Sequence, residues 1–88
     1  MMGLITVQLK SGVLDVEGTA IARALGSLGF GAPAVRVGRV FEVDLGDVVG
    51  TDVAAAEARL TEMAQKLLAN PVMETFRVQV LAPAGARP

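Results

Sequence analysis

The sequence contains no cysteine, histidine, tyrosine or tryptophan, and only three phenylalanines. Without cysteine there is no disulfide framework, no thiolate nucleophile and no thiolate metal site. Without histidine, the side chain that most often carries protons near neutral pH is missing, and acid–base work would fall to aspartate, glutamate or lysine. The scarcity of aromatic rings removes the stacking platforms on which proteins hold single-stranded nucleic acid. Charge of one sign is lacking too. Eight basic and nine acidic residues give a formal net charge of −1 and a pI near 5.2. With no strongly basic block, nucleic acid is not an expected partner.

Long hydrophobic runs are also missing. No window approaches the ~20 consecutive apolar residues that a membrane-spanning helix needs, because charges or glycines break every run. The opening Met1-Met2-Gly3-Leu4-Ile5-Thr6-Val7 has no positive segment and leads directly into a strand pattern, unlike an export signal. The expectation is a cytoplasmic protein with no membrane contact.

What is present is apolar. Of the 88 residues, 52% are hydrophobic and the mean hydropathy is +0.53. A chain this short builds one core at most and has much surface per residue, so part of this apolar material is expected outside, as a partner surface. A single domain over residues 1–81 is expected. Residues 82–88, which lack any pattern, are expected to form a disordered tail.

Alternation over Leu4 to Leu9 predicts a first strand. Asp15 is placed to cap a helix whose stripe of Ile21, Ala24, Leu25 and Leu28 should pack on the sheet. Gly29 at C′ and Phe30 at C″ predict a Schellman ending. From Ala34 to Leu45, Val35, Val37, Phe41, Val43 and Leu45 share one parity, broken only by Arg39. That pattern favours one long middle strand, bent at Gly38, over a hairpin. From Val35 to Leu45 it would span roughly 35 Å, against a radius of gyration of about 12 Å for a compact domain of this length. One end should therefore overhang, and a homo-oligomer built through this strand is expected.

Thr51 or Asp52 can cap a second helix, with Val53, Ala56, Leu60, Met63, Ala64 and Leu67 on one face and the pair Glu62 and Lys66 on the other. Asn70-Pro71 ends it. A last strand follows near Thr75 to Leu81, with Phe76, Val78 and Val80 facing one way. The expected architecture is an α+β two-layer sandwich of order β-α-β-α-β, with an antiparallel sheet and two helices on one face.

Chemistry-bearing candidates are few. Glu42 and Asp44 project from one face of the middle strand, as an acid–base pair, a cation site or simply a solvated or partner-facing surface. Neither a third ligand nor a base accompanies them. Arg36 and Arg39 flank Gly38 and could hold a phosphate or carboxylate; alternatively Arg36 meets Glu42 on the surface and Arg39 is released by local bending. The string Gly26-Ser27-Leu28-Gly29-Phe30-Gly31 lies at a helix C-terminus, the wrong end for a phosphate loop. Lys10, near a strand end, is the only eligible lone base.

Val13-Leu14-Asp15, Gly18, Ala24-Leu25, Leu28-Gly29-Phe30, Val35-Arg36-Val37-Gly38-Arg39 with Glu42, and Lys66 through Glu74 together resemble the PurS family, the small subunit of phosphoribosylformylglycinamidine synthase. The likeness runs from about Val7 to Val80. Two departures are Val16-Glu17-Gly18, where the family commonly has Pro-Gln-Gly, and Arg39, where lysine is usual. The resemblance implies a fold similar to the ferredoxin-like sandwich and a non-catalytic subunit, itself a dimer or tetramer. It would bridge a large synthetase subunit and a glutaminase subunit and assist ammonia transfer. It also implies that this chain binds no cofactor, ATP and magnesium being used by the large subunit. The candidate interface residues are Arg36, Gly38, Arg39, Glu42, Asn70 and Pro71. A small-molecule-sensing module of the ACT type, binding an amino acid between subunits, is the competing reading, and a stand-alone enzyme is a further one.

Overall fold

The computed structural model describes residues 1–47 and 49–81; the tail expected at 82–88 lies outside them. The element order is β1 (Met2–Leu9), α1 (Val16–Ser27), β2 (Gly38–Asp44), α2 (Val53–Met63), a turn of π-helix continuing α2 (Ala64–Leu68), and β3 (Glu74–Val80). The three strands form one antiparallel sheet of order β2-β1-β3. This is the expected α+β arrangement in β-α-β-α-β order.

The core forms where α2 lies on β1 and β3. Ile5 and Val7 of β1 face it, and the register puts Phe41 and Val78 beside Ile5 and Phe76 beside Val7. Ala56 and Leu60 of α2 and Ala64 of the π turn close over them, all fully buried. Alternation on the strands and a three-to-four spacing on the helix are the two periods that bring one apolar face of each element together. Asp52 caps α2 by accepting from the Ala55 amide at 3.0 Å.

The π turn alters which leucine is inside. The Ala69 amide donates to the Ala64 carbonyl at 2.9 Å, five residues back, so one extra residue is taken up per turn. Leu68 is half-buried in consequence and Leu67, expected on the inner face, is 83% exposed. Asn70 and Pro71 follow as expected at the helix end.

α1 departs from expectation. Its stripe does not pack on the sheet, and Ile21 and Leu28 are 39% and 74% exposed. The inner side is the small-residue side instead. A Cβ on Gly18 would lie 2.3 Å from the Val35 carbonyl oxygen, and one on Gly26 would lie 2.9 Å from that of Gly31. The helix therefore packs on the chain returning to β2, which needs small residues, rather than on the sheet. Its Schellman ending is as expected: the Phe30 amide donates to the Leu25 carbonyl and the Gly29 amide to the Gly26 carbonyl, with Gly29 at φ 97°. The Phe30 ring remains 69% exposed.

The middle strand is shorter than its periodicity predicts, since regular pairing begins at Gly38, opposite Gln8. Before that point the Val37 amide donates to the Asp15 carboxylate at 2.7 Å, a side chain taking the place of a neighbouring strand. The molecule is consequently flat and extended, with principal dimensions of 49 × 32 × 14 Å and a radius of gyration of 16.4 Å.

Candidate interface

Five of the six candidate residues gather at one end of the sheet, where β1 ends and β2 and β3 begin. Arg36 donates to the carbonyls of Leu9, Lys10 and Val13 at 3.0–3.2 Å. Its guanidinium thus staples the turn between β1 and α1. Gly38 starts β2 where a Cβ would come 2.7 Å from the Val7 carbonyl oxygen, so the strand can begin there only without a side chain. Arg39 reaches across the central strand to Glu74 of β3, at 3.1 and 3.4 Å, and its guanidinium lies 5.6 Å from the centre of the Phe41 ring, within cation–π range.

Glu74 ties this pair to the helix end. The same carboxylate accepts from the Asn70 amide at 2.8 Å. The Asn70 side chain accepts from the Val72 amide, and the Pro71 carbonyl accepts from Lys10 Nζ at 2.9 Å. Arg39, Glu74, Asn70, Pro71, Lys10 and Arg36 therefore form a continuous polar border. Glu42 lies apart from it, opposite Leu4 in mid-strand. Asp44, its expected companion, accepts from the Gly46 amide at 2.8 Å in the turn after β2.

Asp15 does more than its sequence position promised. One carboxylate oxygen caps α1 through the Gly18 amide at 2.8 Å and the other takes Val37. These two donors, the Val37 amide foremost, hold its pKa below the ordinary aspartate range against the opposing effect of burial, with Arg36 assisting. Glu62 is also held low by its hydrogen bond to Lys66. Among the described residues no cluster of three or more acidic or other ligating side chains could hold a metal ion.

Beyond the border lies a surface that the candidate residues did not indicate. β2 is an edge strand, paired on one side only, and Val40 on it is 62% exposed. Between β2 and α2 runs an open groove of about 720 Å³, floored by Val40, Phe41, Val43, Met63, Leu67 and Leu68 and rimmed by Glu42, Arg59, Glu62 and Lys66. The apolar positions were legible on both elements. Their surplus over what one face of α2 can bury was the available signal. Among the described residues no helix is long and apolar enough to cross a membrane.

Comparison with known proteins gives one consistent answer. Residues 4–82 match the profile of the PurS family, described as phosphoribosylformylglycinamidine (FGAM) synthase. The phosphoribosylformylglycinamidine synthase subunit PurS of Synechocystis sp. is 39% identical over 83 residues, 93% of this chain and 80% of that protein. The subunit of the same name from Archaeoglobus fulgidus is 37% identical over 79 residues, covering 89% and 95%. The crystal structure of Methanocaldococcus jannaschii PurS, one of the subunits of formylglycinamide ribonucleotide amidotransferase in the purine biosynthetic pathway, superimposes with a TM-score of 0.77 at 30% identity, covering 89% of this chain and 92% of that one.

Proposed function

The chain belongs to the PurS family of phosphoribosylformylglycinamidine synthase subunits, and from that premise we propose that it is the non-catalytic small subunit of such a complex, bridging a synthetase and a glutaminase subunit. In this reading the glutaminase releases ammonia from glutamine. The synthetase uses ATP and magnesium to phosphorylate the amide oxygen of formylglycinamide ribonucleotide, and ammonia displaces that oxygen as phosphate. The small subunit joins the two and assists passage of ammonia between them, in the cytoplasm.

The observation that carries the reading is the family match over residues 4–82. The surface agrees with it, since a thin molecule with a free strand edge, an open apolar groove and an exposed apolar helix is built for contacts rather than for enclosing a substrate. The polar border from Arg36 to Pro71 is proposed as the part that meets a partner subunit. Its groups are already ordered by internal hydrogen bonds, so docking on it costs little side-chain entropy.

The test is reconstitution with the synthetase and glutaminase subunits. The expected result is co-elution of all three and glutamine-dependent synthesis that disappears without this chain, while synthesis from added ammonia persists. Unchanged glutamine-dependent synthesis in its absence would overturn the bridging role.

A further inference from the structure

A carboxylate stands where the core face of β3 begins. Glu74 has the strand parity of Phe76, Val78 and Val80, the side that turns to α2, and its side chain is only 17% exposed. At this end of the sheet lies a second, smaller cavity of about 290 Å³. Its polar lining includes Glu74, Lys10 and Gln65, and its apolar lining Phe76, Ala69 and Pro71. The π turn shapes one wall, since Gln65 lies within it and the Ala69 amide closes it on the Ala64 carbonyl. Single π turns recur at functional sites.

The polar groups are held in place and keep hydrogen-bonding capacity to spare. Lys10 Nζ donates to the Pro71 carbonyl at 2.9 Å, which uses one of its three N–H groups. One oxygen of Glu74 accepts from the Asn70 amide at 2.8 Å. The other accepts, among the described residues, from Arg39 alone, at 3.1 Å, and keeps a lone pair. The Gln65 side chain makes no hydrogen bond among the described residues.

One cationic and one anionic group on a single lining select a ligand by charge. A simple anion would meet the Glu74 carboxylate, and a simple cation the Lys10 ammonium, whereas a molecule carrying both charges answers both. Size narrows the class. At about 30 Å³ for each water-sized group, the cavity takes about ten non-hydrogen atoms, the bulk of one amino acid, and it lies at the lower limit of ligand pockets. We propose that this cavity binds a free α-amino acid, its carboxylate on Lys10, its ammonium on Glu74 and its side chain against Phe76 and Ala69. Gln65 supplies an amide that can donate or accept. Every residue involved belongs to this chain, so the binding is independent of the bridging role.

The test is a chemical-shift titration of the isolated chain with L-glutamine and L-leucine, one polar and one apolar probe, and with L-tryptophan, which exceeds the space. The expected result is saturable movement of the Lys10, Gln65, Glu74 and Phe76 amides with glutamine or leucine, at a dissociation constant on the order of 1 mM for a ligand of this size. Tryptophan should give no saturable movement. Glutamine capped as its α-amide or as its N-acetyl derivative lacks one charge, and each should bind at least about 10-fold more weakly. Lys10→Met, which keeps the stem and drops the ammonium, should lose as much. Glu74→Gln would also disturb the Arg39 and Asn70 bonds, so the acetylated ligand probes that contact in the intact fold. No saturable response to glutamine or leucine, equal binding of the capped forms or of tryptophan, unchanged affinity in Lys10→Met, or the same shifts from acetate alone would each overturn the proposal.

Discussion

Asp15 shows how much one carboxylate can organise when both of its oxygens accept backbone amides. Asp52, with a single cap bond to Ala55, is the natural comparison: Asp52→Ala should cost about 1 kcal/mol, as for an ordinary N-cap. Asp15→Ala should lower the urea midpoint further, because it also releases Val37. The pH dependence has a definite sign. The folded-state pKa of Asp15 is depressed, so its contribution is fully present above the unfolded value, near 4, and is lost as pH falls below that towards the folded value. Urea midpoints of wild type and Asp15→Asn should therefore converge in acid and separate above about pH 4. Gly3 makes a sharper steric prediction. A Cβ there would lie 2.2 Å from Leu60 Cδ1, and Leu60 is fully buried, so Gly3→Ala should destabilise by about 1–3 kcal/mol through overpacking. The capping role of Asp15 is legible in the sequence because caps are local. Its bond to Val37, 22 residues away, and the seat of Leu60 on Gly3 are not, since only the finished fold brings those atoms together.

At the scale of elements, the positions of all five regular segments are legible from period and caps, and the departures have separate physical causes. β2 starts late because Asp15 occupies the hydrogen-bonding position that a strand neighbour would fill at Val37. The α2 stripe loses Leu67 because a π turn adds a residue after Met63, which no hydrophobic period announces. The stripe of α1 was read correctly as apolar and wrongly as packed on the sheet, because periodicity marks a face as apolar without saying what lies against it. Arg36 and Arg39 were read as a possible anion clamp, whereas the turn carbonyls and Glu74 already engage them. These differences predict uneven local stability. Helix α1 is held by its cap, its Schellman ending and the returning segment, while α2 and β1 share the buried core. Amide hydrogen exchange at low protein concentration should find α1 the least protected of the regular elements and β1 the most. Equal protection of α1 and α2 in a dilute monomer would mean that α1 has support from its own chain that this structure does not contain.

The whole molecule is wider and thinner than its length demands, 14 Å along its shortest axis with a radius of gyration of 16.4 Å, against about 12 Å for a compact domain of this size. Such a shape leaves the isolated chain with a small core, and stability should come partly from association. That consequence can be measured apart from any synthase partner. For a two-state dimer, each tenfold rise in concentration adds about 1.4 kcal/mol to the apparent stability of the dimer, so the thermal midpoint should climb with concentration. Leu67→Asp should flatten that climb while leaving the midpoint at high dilution nearly unchanged, since the side chain is 83% exposed within one chain. Arg36→Ala should do the opposite. Its three carbonyl partners belong to its own chain, so it should lower the midpoint at every concentration, by about 1 kcal/mol of stability, and keep the slope. A concentration-independent wild type would show that the flat monomer is self-sufficient. Parallel losses of slope in both variants would place Arg36 in the contact between copies and not only in the turn it braces.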